Sequence, residues 1–481
     1  MALSELTRMT AVEAVRRLKA REVSPAELID AALARMAEVE PAVNALPTLC
    51  AERARAAAVA LAHTGDPDAP GWLAGLPVAI KDLLNVAGVR STQGSPIFAD
   101  HVPQRSDIVV ETLERCGGVV LAKSNTPEFG AGANTFNPVF GKTRNPWNTS
   151  LTCGGSSGGA AVALATGEIW LASGSDLGGS LRTPASFCSV VGMRPSPGRV
   201  ARGPNPNMQD DLAIEGPMAR NVADVALMLD AMTGRHPEDP LSIPAPARPF
   251  QEAVARPRRP ARVAWSRDLG FLPVHPEVAA VAERAARRFE ALGIPVDEVT
   301  PDFSDAREIF QTLRALFFVT DKAELLRTRR DQLKPDVVWN IEKGMKLDCD
   351  AVGRAIRARS ALLGRLARFF AVYDILLTPT VIVPPFDVEM IYVRKVGGVE
   401  FDNYVDWFSM TYALSLTRAP SLSLPAGFLA DGRPVGLQML ARPYDEAGLL
   451  SAAALAEAAI GGGGVPIDPR PGPVLGADWV G

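Results

Sequence analysis

The stretch CGGSSGGAAVALATGEIWLASGSDLGGSLRTP, Cys153 to Pro184, sets two loops of glycine and serine on either side of an alanine-rich segment. Ala160 to Ala165 has no polar face, so it is read as a helix packed tightly all round, with small side chains that let other backbone approach closely. The first loop carries adjacent serines, Ser156 and Ser157, and the second repeats the theme as Gly178-Gly179-Ser180. A turn that only caps a helix would not need this recurrence. A phosphate-binding loop would need GxxxxGK[ST], and neither loop has the lysine. A nucleophile elbow, GxSxG, fits Gly154 to Gly158 and again one residue on, which brings in an α/β-hydrolase-type esterase with Ser156 or Ser157 as nucleophile. That mechanism wants Ser, acid and His in chain order. The last histidine is His275, so the elbow reading is disfavoured.

A serine nucleophile without histidine needs another base, and lysine is the available one. Lys81 follows the apolar run Val78-Ala79-Ile80 and precedes Asp82, where a buried strand emerges from a sheet. Burial disfavours the ammonium form and lowers the pKa, which a lysine base near neutral pH requires.

Working outward, Thr10 with Glu13 and Ser24 with Pro25 and Glu27 open two helices in the first 40 residues, the second with Leu28, Ala32 and Met36 as its apolar stripe. Short apolar runs at Val78–Ile80, Val119–Ala122, Val263–Trp265, Ile375–Leu377, Leu422–Leu424 and Leu437–Leu440 read as buried strands separated by helices. The expected fold is α/β, a central mixed sheet covered by helices on both faces, with an inserted helical layer between about Pro301 and Phe370. No long linker divides the chain, so one domain over 1–481 is expected: N-terminal helices 1–70, a core 71–230 and a C-terminal part 231–481 that contains the insertion. Pro195–Asp211, PSPGRVARGPNPNMQDD, is a loop by composition and is long enough to be a lid or binding loop.

Composition narrows the classes. Of the 481 residues 47% are hydrophobic, enough for a large core, and the net charge is only -4 with no Lys or Arg run that would mark a nucleic-acid or membrane partner. The cysteines are scattered singly and no histidines have metal-ligand spacing, so neither a disulfide framework nor a zinc hydrolase is expected. No secretory leader or membrane-spanning run is read, and the expected location is cytoplasmic.

The motifs together, GLPVAIKD (75–82), FGKTRNPWN (140–148), CGGSSGG (153–159), GSDLGGSLRTPA (174–185), SLPAG from Ser423 and GRPVGLQ from Gly432, resemble the amidase signature family in order and spacing over nearly the whole chain. The resemblance implies a serine hydrolase of carboxylic amides with Lys81 as base, Ser156 as a relay on a cis peptide bond, and Ser180 as nucleophile. It implies an oxyanion hole from the backbone N–H groups of Leu177, Gly178 and Gly179 with Ser180, and an acyl pocket lined by Gly130 and Gly132. No cofactor and no metal are implied. Asp176 and Arg182 are expected to pair across the nucleophile loop, and Ser157 to be a hydrogen-bonding neighbour of the relay. Arg199 is expected to be a gating or substrate-facing side chain. The expected partner is a small amide or carbamate, with anilides and esters as further substrates, acted on by a monomer or homodimer. An amidotransferase A-type subunit of a tRNA-dependent transamidation complex is the alternative, disfavoured by the lack of a basic surface and of any added domain after Gly461–Gly464.

Overall fold

The computed structural model describes residues 3–61, 66–205 and 207–473; His63 lies outside them. Strands from both halves of the chain join one mixed sheet of eleven. One side of it holds Thr48–Leu49, Val119–Ser124, Pro77–Lys81 and Leu171–Asp176 in spatial order, the last three mutually parallel. Antiparallel strands Ile214–Ala219, Val191–Arg194, Ser421–Phe428, Pro434–Ala441 and Ile375–Pro379 continue it. Parallel Val263–Trp265 and Val296–Glu298 finish the far edge. The α/β fold expected from the apolar runs is the fold observed. Among the described residues no helix is long and apolar enough to cross a membrane.

The helix Gly158–Thr166 is buried at every position. Its lack of side chains is a packing requirement: a Cβ at Gly159 would lie 2.4 Å from the backbone nitrogen of Asn125. At the N-terminus, Ser24 and Glu27 form the complete capping box that opens Pro25–Val43. At Thr10 only half of the expected box forms. Its hydroxyl accepts the Glu13 N–H, while the Glu13 carboxylate turns to Arg16 and Arg17.

The helical layer consists of Ala306–Arg329, Pro335–Met345 and Cys349–Phe369. Its first helix presses Phe310 against the nucleophile turn, where a Cβ at Gly178 would meet the Phe310 ring at 2.7 Å. Phe310 is itself stacked on Tyr412 with ring centroids 4.2 Å apart. This layer and the Gly/Ser loops at the ends of Pro77–Lys81 and Leu171–Asp176 enclose the candidate site.

Candidate active site

Lys81 is the last residue of its strand and is fully buried. Its Nζ lies 2.7 Å from Ser156 Oγ, 2.9 Å from Ser157 Oγ and 3.0 Å from Ser175 Oγ. Three hydroxyls suit either protonation state, because each can accept from an ammonium or donate to an amine. No carboxylate forms an ion pair with Lys81 among the described residues. Burial pulls its pKa down to about 7, against the opposing pull of Asp176 and Glu215. Ser175, the third hydroxyl, was not singled out from sequence; it lies on the strand leading into the nucleophile turn, one alternation beyond Ser173, whose hydroxyl accepts the Lys81 backbone N–H.

The peptide bond between Gly155 and Ser156 is cis. Gly130 faces the Ser156 hydroxyl so closely that a Cβ there would stand 3.2 Å from Oγ, and its φ of +70° belongs to the region glycine favours. The Ser156 loop and the Ser180 turn are tied by backbone, the Ser157 N–H donating to the Ser180 carbonyl at 3.1 Å. Ser180 and Ser156 share a wall of one cavity of about 250 Å³. The Ser180 hydroxyl makes no hydrogen bond to a described residue, so the structure joins Lys81 to Ser156 directly and leaves Ser180 facing the cavity beside them.

The nucleophile turn is held from below by Asp176. Its carboxylate accepts the N–H of Gly179 at 2.7 Å and of Leu181 at 3.1 Å, and pairs with Arg182 through two hydrogen bonds of 3.0 and 2.9 Å. Burial raises the pKa of Asp176, but Arg182 and Arg194 outweigh it and hold it down to about 2. Arg182 also reaches the Thr411 carbonyl, Gln438 and Ser415, so it is fully engaged. This geometry corrects one expectation. The N–H of Gly179 is spent on Asp176 and is not free to serve as the expected oxyanion donor, whereas those of Leu177, Gly178 and Ser180 have no acceptor among the described residues. A narrow recess beside this turn is lined by Gly130, Gly132, Gly178, Gly179 and Ser180, with Phe408 and Arg314 closing it.

A second correction concerns Arg199. It is buried, its guanidinium paired with Glu446 at 3.1 Å, bonded to the Pro244 carbonyl at 3.2 Å and set over the Phe250 ring. It anchors the loop to the C-terminal helix Glu446–Ile460 and does not line the cavity. Further along the same loop Gly203, Pro204 and Asn205 do line it. Facing them are residues that sequence reading passed over: Asp107, Glu215, Phe129, Phe318 and Arg314. Burial raises the carboxyls of Asp107 and Glu215 to about 6 and about 7.

A buried lysine among serines, a Gly178–Ser180 turn with unspent N–H groups and the mixed sheet that positions both meet beside one cavity. The sequence profile of the Amidase family matches residues 27–450, and the chain belongs to that family. It is 35% identical to an acylamidase of Rhodococcus erythropolis over 94% of this chain and 95% of that one. It is also 34% identical to the A-type subunit of the glutamyl-tRNA(Gln) amidotransferase of Moorella thermoacetica over 93% of this chain and 96% of that one. Among solved structures, a bacterial aryl acylamidase of the amidase signature family superposes with a TM-score of 0.87 at 27% identity, covering 94% of this chain and 96% of the other.

Proposed function

We propose that the protein hydrolyses the C–N bond of small carboxylic amides through an acyl-enzyme on Ser180. The observation that carries this reading is Lys81: buried, without an ion-pair partner among the described residues, and 2.7 Å from a serine that shares a cavity wall with Ser180. Neutral Lys81 takes the Ser156 proton while Ser156 takes that of Ser180, and the Ser180 oxygen bonds to the acyl carbon. The carbonyl electrons move onto oxygen, where the N–H groups of Leu177, Gly178 and Ser180 receive them. Collapse restores the carbonyl and breaks the C–N bond. Ser156 delivers its proton to the leaving nitrogen and recovers one from the Lys81 ammonium. Water then repeats the sequence on the ester, releasing acid and Ser180. Anilides, carbamates and esters present the same planar carbonyl and a leaving atom within reach of Ser156, so they belong to the proposed range.

The test is a panel of p-nitroanilides, primary amides, esters and carbamates. Ser180→Ala is expected to lower turnover of every member by about 10⁴-fold or more while keeping the fold. Undiminished turnover in that variant would remove the acyl-enzyme reading. The likeness to A-type amidotransferase chains favours a second reading, in which the amide is glutamine and the ammonia passes to a partner. Ammonia release from glutamine far faster than from any anilide would select it.

A further inference from the structure

Gly178 and Gly179 are joined by a peptide with no side chain on either flank, the arrangement most free to turn over, and φ at Gly179 is +125°. Hydrogen bonds nevertheless fix that peptide at both edges. Its N–H donates to the Asp176 carboxylate at 2.7 Å, and its carbonyl, that of Gly178, accepts the Thr411 hydroxyl at 2.7 Å. No other donor reaches the Gly178 carbonyl among the described residues. The Gly179 carbonyl accepts the Thr183 N–H at 2.7 Å, and the Ser180 carbonyl accepts the Ser157 N–H. A trans peptide points its carbonyl and its N–H in opposite directions, so each carbonyl held in this way aims an N–H the other way. The N–H groups of Gly178 and Ser180, which lack acceptors among the described residues, lie on the peptides immediately before and after the clamped one.

Thr411 reaches this turn from the other half of the chain. It sits in the helix Ser409–Ser415 and is 1% exposed. Gly179 makes way for it, since a Cβ there would overlap the Thr411 side chain. The Thr411 carbonyl accepts Arg182 Nη1 at 3.0 Å, and Arg182 pairs with Asp176. The bonds therefore close into a ring around the turn, from Asp176 to Gly179, from Gly178 to Thr411, and from Thr411 through Arg182 back to Asp176. The hydroxyl shares its single hydrogen with the Phe408 carbonyl at 2.9 Å, three residues back, and the Gly178 bond is the shorter. Thr411 lines neither the main cavity nor the recess beside the turn, so it acts on a substrate there only through the turn.

We propose that Thr411 is a positioning residue for the oxyanion donors: by holding the Gly178 carbonyl it stops the Gly178–Gly179 peptide from turning over, and so keeps the N–H groups of Gly178 and Ser180 aimed at the substrate's carbonyl oxygen. This rests on the acyl-enzyme reading, in which that oxygen becomes an anion beside Ser180. Without the hydroxyl, Asp176 holds one edge of the peptide and no described residue holds the other. A donor displaced from the oxyanion forfeits part of the roughly 10²- to 10³-fold that one such donor contributes. The ground-state carbonyl carries little charge and loses far less.

The experiment follows hydrolysis of p-nitroacetanilide in Thr411→Val, which removes the hydroxyl at nearly constant shape, and in Thr411→Ser, which keeps it. Thr411→Val is expected to lower kcat per folded molecule by about 10- to 100-fold with KM within about threefold of wild type, and Thr411→Ser to recover most of the loss. A trifluoromethyl ketone with the same acyl group, to which Ser180 would add to form a tetrahedral alkoxide, should bind Thr411→Val more weakly by a factor close to the loss in kcat/KM. Should Thr411→Val not fold, Thr411→Cys, whose thiol is a weak donor, is set against Thr411→Ser in its place. Equal kcat in the serine variant and in the variant without the hydroxyl overturns the proposal, as does a loss carried by KM alone with ketone affinity unmoved. The two readings fail separately. Undiminished turnover in Ser180→Ala removes the acyl-enzyme and the role of Thr411 with it, whereas lost turnover in Ser180→Ala beside unchanged kcat in Thr411→Val removes the role of Thr411 alone.

Discussion

Two lysines at the ends of adjacent parallel strands share one degree of burial and differ in everything else. Lys81 and Lys123 are both wholly buried, and Lys81 pairs in register with Ser124, the residue after Lys123. Lys123 Nζ meets the Asp82 carboxylate at 2.8 Å and Ser91 Oγ at 2.8 Å. Among the described residues Lys81 meets three hydroxyls and no carboxylate. Burial lowers both pKa values, but at Lys123 a contacting carboxylate resists the shift, while at Lys81 the opposing charges, Asp176 and Glu215, are held off from contact. The lesson is that burial alone does not make a base. A buried lysine given a carboxylate is held as a cation, whereas one given only hydroxyls is eased toward the neutral amine that the proposed mechanism asks of Lys81.

The contrast can be broken most directly at Lys81. Lys81→Met is expected to lower anilide turnover by about 10⁴-fold, since both the base and the relay's orientation are lost, yet to leave thermal stability unchanged or raised. Activity within tenfold of wild type would erase the difference between the two lysines. In the wild type the sign of the pH dependence follows from the proposed mechanism, in which the neutral form of Lys81 is the active one. Turnover should climb about tenfold per unit below pH 7 and level off above it, because the Lys81 amine is protonated below about 7. Lys123→Met should invert the pattern, losing roughly 3 kcal/mol of stability in urea unfolding because Asp82 is left buried without its cation. Turnover per folded molecule should fall much less than in Lys81→Met. The smallest effect belongs to Glu215→Gln. With its carboxyl raised to about 7 by burial, Glu215 is an anion only in part on the acid limb; that fraction favours the Lys81 ammonium, so its removal should move the limb slightly to lower pH. A move to higher pH would mean that Glu215 does not act on Lys81 through its charge.

Much of this site was legible because its chemistry depends on local sequence. VAIKD announces a buried strand that ends in a lysine, and paired Gly/Ser loops announce backbone that must turn tightly. The strand Leu171–Asp176 was not legible. LASGSD has the composition of a loop, but its small residues are what a central strand needs: a Cβ at Gly174 would lie 2.5 Å from Leu181 and 2.7 Å from the Ser157 hydroxyl. The capture of the Gly179 N–H by Asp176 was hidden for a similar reason, since a carboxylate three residues before a turn can either flank it or close it. Arg199 looked exposed in a loop of proline and glycine, and its partner Glu446 is too remote in sequence for any local pattern to pair them. Arg314 left one trace. Phe310, Arg314 and Phe318 recur at four-residue spacing, which puts the arginine on the apolar stripe of its helix, where a surface charge has no reason to be.

Two parts of the cavity contrast, the floor that carries Ser156 and Ser180, built from strand ends and Gly/Ser loops, and the far wall given by the helix Ala306–Arg329. The floor has little room for larger residues, because a Cβ at Gly155, Gly174, Gly178 or Gly179 would stand within 3.0 Å of a neighbouring heavy atom. The wall meets it through side chains alone, chiefly Phe310, Arg314, Phe317 and Phe318. Exchanging a few positions on one helix would therefore reshape the cavity while Lys81, Ser156 and Ser180 beneath it stay in place.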